Sequence, residues 1–181
     1  MNSTVVYDDD AGDVMSSEAL ALKKGSYILI VKLDEDKEIA IGSLGVLFFP
    51  AGFYAYLGSA LGGFKSRISR HLRKDKRLRW HVDYLLREAE ISNILLCETR
   101  ERLECSLFRP LADELPFIAG FGSSDCGCPS HLYFAEDENR LLMSIGEAME
   151  GLGLLQNFWR LSGNAKKIWS QEAVRKLEFS H

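Results

Sequence analysis

Several features are scarce in this chain of 181 residues, and each scarcity removes a class of protein. Four cysteines (Cys97, Cys105, Cys126 and Cys128) are too few for a disulfide scaffold, so a reducing, cytoplasmic setting is expected. No apolar run approaches the ~18 to 20 residues of a membrane-spanning helix, and no membrane partner is expected. The chain does not open with a basic stretch followed by an apolar core, so no secretory leader is expected. Internal repeats and low-complexity tracts are missing. Positive charge is not in excess either: 22 Lys and Arg stand against 26 Asp and Glu, a net charge of −4, which argues against a generally basic, DNA-coating protein. What is present is 46% apolar and 27% charged residues, enough for one globular domain whose core needs no staples.

The average charge conceals an asymmetry. Residues 8 to 18 hold Asp8, Asp9, Asp10, Asp13 and Glu18 with no basic residue, and residues 1–23 read as a flexible acidic leader. Residues 65 to 79 hold Lys65, Arg67, Arg70, Arg73, Lys74, Lys76, Arg77 and Arg79 against Asp75 alone. Polyanion binding depends on such local patches, not on the whole-chain sum.

Strand patterns dominate the first third. Ser26 to Leu33 is β-branched and aromatic, Asp34 to Lys37 reads as a hairpin turn, and Glu38 to Ile41 as the returning strand. Further strands are expected at Val46 to Phe49 and Phe53 to Gly58. Helices follow over Phe64 to Lys74 and Trp80 to Glu88, then a strand from Ile94 to Glu98 and a helix from Arg100 to Leu115. Pro110, lacking an amide donor, should kink or end that helix near Arg109. A loop from Phe121 to Pro129 precedes a short edge strand at His131 to Phe134, and helices are expected over Asp137 to Met149 and about Asn164 to Leu177. The order points to an α+β fold, a small and largely antiparallel sheet flanked by helices. We divide it into a domain over 24–135 and a C-terminal helical extension over 136–181.

Two helices carry residues that a core alone does not require. Leu103, Leu107 and Phe108 define an apolar arc, and Glu104 falls near its centre. An ionised carboxylate is costly to bury unless it is paired or holds a cation, so Glu104 lines either an ion pair or a cleft. On the Phe64 helix, at ~100° per residue, His71 lies about 20° from Phe64 and Arg67 about 60°. That puts the pair on one face, at the border of the buried stripe. Arginine offers a rigid fork for phosphate oxygens, and histidine moves protons near neutral pH.

The tyrosines complete a pattern. Gly25-Ser26-Tyr27 opens the first strand, and Tyr56-Leu57-Gly58 closes a later one just before the basic helix. With Arg67, His71 and Glu104 following in order, the chain resembles the GIY-YIG nuclease superfamily, and within it the uncharacterised Uri-type branch. The resemblance runs from about Gly25 to Phe134. It implies a GIY-YIG-like endonuclease that hydrolyses DNA phosphodiester bonds with one Mg²⁺ or Mn²⁺ ion; RNA stays open as a second substrate. It also implies roles. Tyr27 would be the general base or a water-orienting hydroxyl, with Tyr56 near the nucleophile. Arg67 would hold the scissile phosphate, His71 would assist proton transfer, and Glu104 would ligate the metal. Lys65, Arg70, Arg73, Lys74, Lys76 and Arg77 would track the DNA backbone, with Trp80 available for packing or stacking.

The chain departs from the family pattern in two places. Ser26 stands where an aliphatic residue is usual, a minor change since strand residues alternate faces. The gap between Tyr27 and Tyr56 is long, and the extra residues read as an inserted hairpin, Glu38 to Phe49, which the fold can extrude without disturbing the site. The asparagine often found after the metal glutamate has no clear match, and Asp125 or Ser130 is the nearest stand-in. Separately, Cys105, Cys126, Cys128 and His131 make a possible three-cysteine, one-histidine zinc set. The single residue between Cys126 and Cys128 is tighter than usual, which favours a buried cysteine on the helix and two ordinary thiols. Two alternatives accompany the nuclease reading: a catalytically inactive nucleic-acid-binding module on the same scaffold, and a zinc-stabilised interaction protein.

Overall fold

A computed structural model describes residues 22–155, 158–162 and 175–176, so nearly all of the expected leader lies outside the described residues. Strand β1 (Gly25–Leu33) runs between β4 (Gly52–Ala60) and β5 (Glu90–Glu98), antiparallel to both. Its near-continuous apolar sequence has a direct cause: all but one of its residues are buried, because both faces of the sheet are covered. β6 (Leu132–Ala135) closes the β4 edge; β7 (Phe158–Ser162) pairs with β5, and the two-residue β8 (Arg175–Lys176) pairs with β7. Every pairing is antiparallel, and the fold is α+β as expected.

Alternation along the strands sorts side chains into two cores. Tyr27, Leu29, Tyr56, Ile94 and Leu96 face one way and meet Phe64 and Ile68 of α1 (Phe64–Leu72) and Val82 and Leu85 of α2 (His81–Glu88). Ile28, Ile30, Ala55, Leu57 and Leu95 face the other way. There they meet α3 (Leu103–Ser106), α4 (Phe108–Glu114) and α5 (Glu138–Gly151). Asp137 caps α5 by accepting from the Asn139 amide at 2.6 Å.

Three local expectations change. The strand β2 (Lys37–Ala40) does not return along β1; it pairs with β3 (Val46–Phe49) as a separate two-stranded sheet. That hairpin is inserted as expected but is not simply extruded. Ile39, Ile41 and Phe49 join the first core, and the Phe49 ring lies 6.2 Å from Phe121. The helix expected from Arg100 to Leu115 is two helices that break at Leu107, not near Arg109. A proline ring clashes with the carbonyl four residues back, which for Pro110 is Ser106, so Pro110 sits in the first turn of α4. At the C-terminal end, β7 is a strand where only helices were expected. Of the last expected helix only Arg175 and Lys176 are described, and they are extended. Among the described residues no helix is long and apolar enough to cross a membrane.

Candidate functional site

The two tyrosines are neighbours because of strand register. Tyr27 pairs with Gly58 and Leu29 with Tyr56, so both phenols rise from one face of the sheet with ring centroids 6.4 Å apart. The glycines of the two triplets make room for this. A Cβ at Gly58 would run into the Tyr27 phenol, and one at Gly25 into the Cys97 carbonyl. Tyr27 is 2% exposed, and its hydroxyl lies 2.7 Å from Nε2 of His71. Burial pushes the Tyr27 phenol well above its ordinary range, with the Tyr56 phenol adding to the rise and Arg67 opposing it. Burial raises Tyr56 likewise, again opposed by Arg67.

α1 supplies the histidine and the arginine. His71 is 3% exposed, deeper than the border position expected from its helical angle. Burial, and then the Lys76 ammonium, push its imidazole down to about 3, so the ring is neutral at pH 7. Its Nδ1 is buried without a hydrogen-bond partner among the described residues. Arg67 is half-buried, as expected, with its guanidinium carbon 4.3 Å from the Trp80 ring centroid; Arg70 lies over the same ring at 3.9 Å. Arg70 is otherwise committed: it forks onto both carboxylate oxygens of Asp83 at 2.7 and 2.8 Å. Asp83 also accepts the Arg79 and Trp80 amides, at 2.9 and 3.0 Å. Against the cost of its own burial, those partners hold the Asp83 carboxyl far below the usual carboxylate range. Lys76 donates to the His71 carbonyl at 2.7 Å and the Arg70 carbonyl at 3.3 Å, closing the C-terminal end of α1.

These contacts divide the expected DNA track. Lys65, Arg73, Lys74 and Arg77 are exposed. Arg70 and Lys76 are not surface groups but internal cations on Asp83, because a carboxylate buried at the start of α2 requires them.

Glu104 comes from the other side of the sheet. Leu103 and Leu107 anchor α3 in the second core, and Ser26 fixes its start. The Ser26 hydroxyl accepts the Leu103 amide at 3.0 Å and donates to the Glu101 carbonyl at 3.2 Å. Glu104 is 8% exposed, and its Oε2 is buried without a hydrogen-bond partner among the described residues. Its charge adds to the rise in the pKa of both Tyr27 and Tyr56.

The loop before β6 walls this region. Phe121 is fully buried with its ring 6.1 Å from that of Tyr56, and a Cβ at Gly122 would come within 2.9 Å of the same ring. The Gly122 amide donates to Nδ1 of His81 at 3.1 Å, which ties the loop to the start of α2. Where this loop meets α3, the ligand atoms of Cys105, Cys126, Cys128 and His131 all lie within 4.8 Å of one another. Cys105 is exposed, not the buried cysteine expected. Ser130 is buried, with its hydroxyl donating to the Ile118 carbonyl at 2.6 Å, and Asp125 lies 3.8 Å from Arg102.

Sequence reasoning missed Ser26, whose hydroxyl holds the Glu104 helix, and Gly122, whose bare Cα lets the loop reach Tyr56. A small polar residue just ahead of the apolar run Tyr27 to Val31 was the available signal for Ser26. A family model described as "Domain of unknown function DUF123" matches residues 26–154. No curated protein and no solved structure matches the chain.

Proposed function

This chain belongs to the DUF123 family, and from that premise we propose that it is a metal-dependent endonuclease of GIY-YIG type acting on DNA. One observation carries the reading. Among the described residues a buried carboxylate oxygen of Glu104 has no hydrogen-bond partner, and its charge adds to the raised pKa of the two phenols that flank the His71 ring.

An unpartnered carboxylate oxygen is the hard anionic ligand that Mg²⁺ or Mn²⁺ takes, so Glu104 fits such an ion and would hold it. When bound, the ion supplies an acidified water and neutralises the departing oxygen. The remaining chemistry belongs to the chain. The Tyr27 hydroxyl and Nε2 of the neutral His71 ring share a hydrogen bond whose donor follows the imidazole tautomer; in the Nδ1–H form the hydroxyl donates and keeps its lone pairs for a water. Because burial raises its pKa, Tyr27 serves as the water-orienting hydroxyl, not as a phenolate base. Arg67 has no hydrogen bond or ion pair among the described residues, so its fork is available to the scissile phosphate. There it would stabilise the charge that gathers in the transition state.

The competing reading is a catalytically silent nucleic-acid-binding module. It draws on the same burial, which holds Tyr27 above and His71 below the range in which they exchange protons freely at neutral pH. Incubation with nicked, branched, single-stranded and duplex DNA plus Mg²⁺ or Mn²⁺ separates the two. Wild-type protein should cleave at least one substrate, and Glu104→Ala should lower that rate by about 100-fold or more. Binding without cleavage by the wild type on every substrate would establish the module instead.

A further inference from the structure

We infer that Cys105, Cys126, Cys128 and His131 form a zinc centre, distinct from the Glu104 carboxylate, that clamps the loop before β6 onto α3. The inference goes beyond the nuclease reading and does not rest on it.

The sequence spacing argued against zinc because it considered Cys126 and Cys128 as a local pair. The fold supplies the missing breadth. Cys105 arrives from α3, two thiols from the loop and an imidazole from the residue just before β6, and the four ligand atoms converge within 4.8 Å. With Zn–S near ~2.3 Å and Zn–N near ~2.0 Å, the edges of a tetrahedral site are roughly 3.5 to 3.8 Å. Cys126 Sγ and His131 Nε2 are already 3.4 Å apart, so only a small contraction separates this cluster from coordination. All three cysteines are free thiols.

The donor chemistry selects the metal. Three thiolates and an imidazole are soft to borderline ligands, suited to zinc and poor for Mg²⁺ or Mn²⁺. Four protein ligands fill a tetrahedral shell and leave no position for water or substrate, which marks a structural ion. The support around His131 is rigid. Its amide donates to the Phe121 carbonyl at 2.8 Å, and its carbonyl accepts the Leu57 amide at 2.9 Å, so the imidazole is fixed relative to β4.

The consequence is mechanical. Cys105 adjoins Glu104 in sequence, while the Gly122 end of the loop packs against the Tyr56 ring. An ion joining α3 to the loop sets the separation of the acid from the phenol wall.

The test is zinc content and cobalt spectroscopy on the full chain, purified under reducing conditions with added zinc. Wild type should carry about one equivalent of zinc. Removing it with a strong chelator should lower the thermal midpoint by roughly 10 °C. Cys126→Ser/Cys128→Ser should lose the metal, and Glu104→Gln should keep it. Should the double variant not fold, Co²⁺ added to metal-free wild type decides, since a tetrahedral thiolate site gives intense visible absorption and an oxygen site does not. Wild type without zinc, a double variant as zinc-rich as wild type, or a zinc-free Glu104→Gln would each overturn the proposal. So would a disulfide between Cys126 and Cys105 or Cys128 under the reducing conditions.

Discussion

At pH 7 the His71 ring is neutral because burial, and then the Lys76 ammonium, hold its pKa down to about 3. In the unfolded chain the same ring titrates near ~6.5. Between those values the unfolded state takes up a proton that the native state refuses. Stability is therefore fully present above pH ~6.5 and falls as the pH drops toward 3, by about 1.4 kcal/mol per pH unit. His71→Gln should remove that component. The gap in unfolding free energy between wild type and variant should shrink steadily from pH 7 to pH 4 in urea titrations, and a gap independent of pH would contradict the assignment. The sequence placed His71 on the right helix face, since angle follows from spacing. It did not reveal the depth, because depth depends on Trp80 and the two tyrosines closing over the ring.

Among the elements, the short helix α3 depends most on something outside itself. Four residues cannot sustain a helix by their own hydrogen bonds, since nucleation costs more than one turn returns. Leu103 and Leu107 supply burial, and Ser26 supplies the missing partner for the first amide. Ser26→Ala should cost about 1 to 3 kcal/mol, because the Leu103 amide is left buried without a partner. If α3 is what aims Glu104, the same change should raise the Mg²⁺ concentration needed for half-maximal cleavage by roughly 10-fold or more. Denaturant unfolding reads the first effect and a Mg²⁺ titration the second; wild-type behaviour in both would remove Ser26 from the site. Ser26 looked minor in the sequence for a physical reason. Its partners are 75 and 77 residues away, beyond any local periodicity. The break at Leu107 was legible in principle, since Pro110 acts on the carbonyl four residues before it, but the expectation located the effect at the proline itself.

Over the whole molecule, the net charge of −4 and the basic run from Lys65 to Arg79 pull in opposite directions, and packing decides which cations count. Apolar strand runs followed by helical spacing announced an α+β sheet, and the ordered tyrosines, arginine, histidine and glutamate announced where to look. What one dimension could not separate was a cation facing solvent from one facing Asp83. Arg70 and Lys76 read as part of the patch, yet both neutralise that buried carboxylate, whereas Lys65, Arg73, Lys74 and Arg77 remain exposed around the rim that carries Arg67. The exposed set, with Arg67, can exchange counterions with a nucleic-acid backbone. DNA affinity should therefore fall steeply with added salt, and Lys74→Ala or Arg77→Ala should each flatten the log–log slope by about 0.9 while leaving unfolding nearly unchanged. Arg70→Ala should do the reverse, costing about 1 to 3 kcal/mol of stability as Asp83 loses its forked partner and keeps Lys76 and two amides, with no specific change in salt slope. Equilibrium binding to duplex DNA across a salt series, paired with urea unfolding of the same variants, distinguishes these outcomes. Equal slopes for wild type and the exposed-site variants would mean that the run is a solvated face and that the phosphate track lies elsewhere.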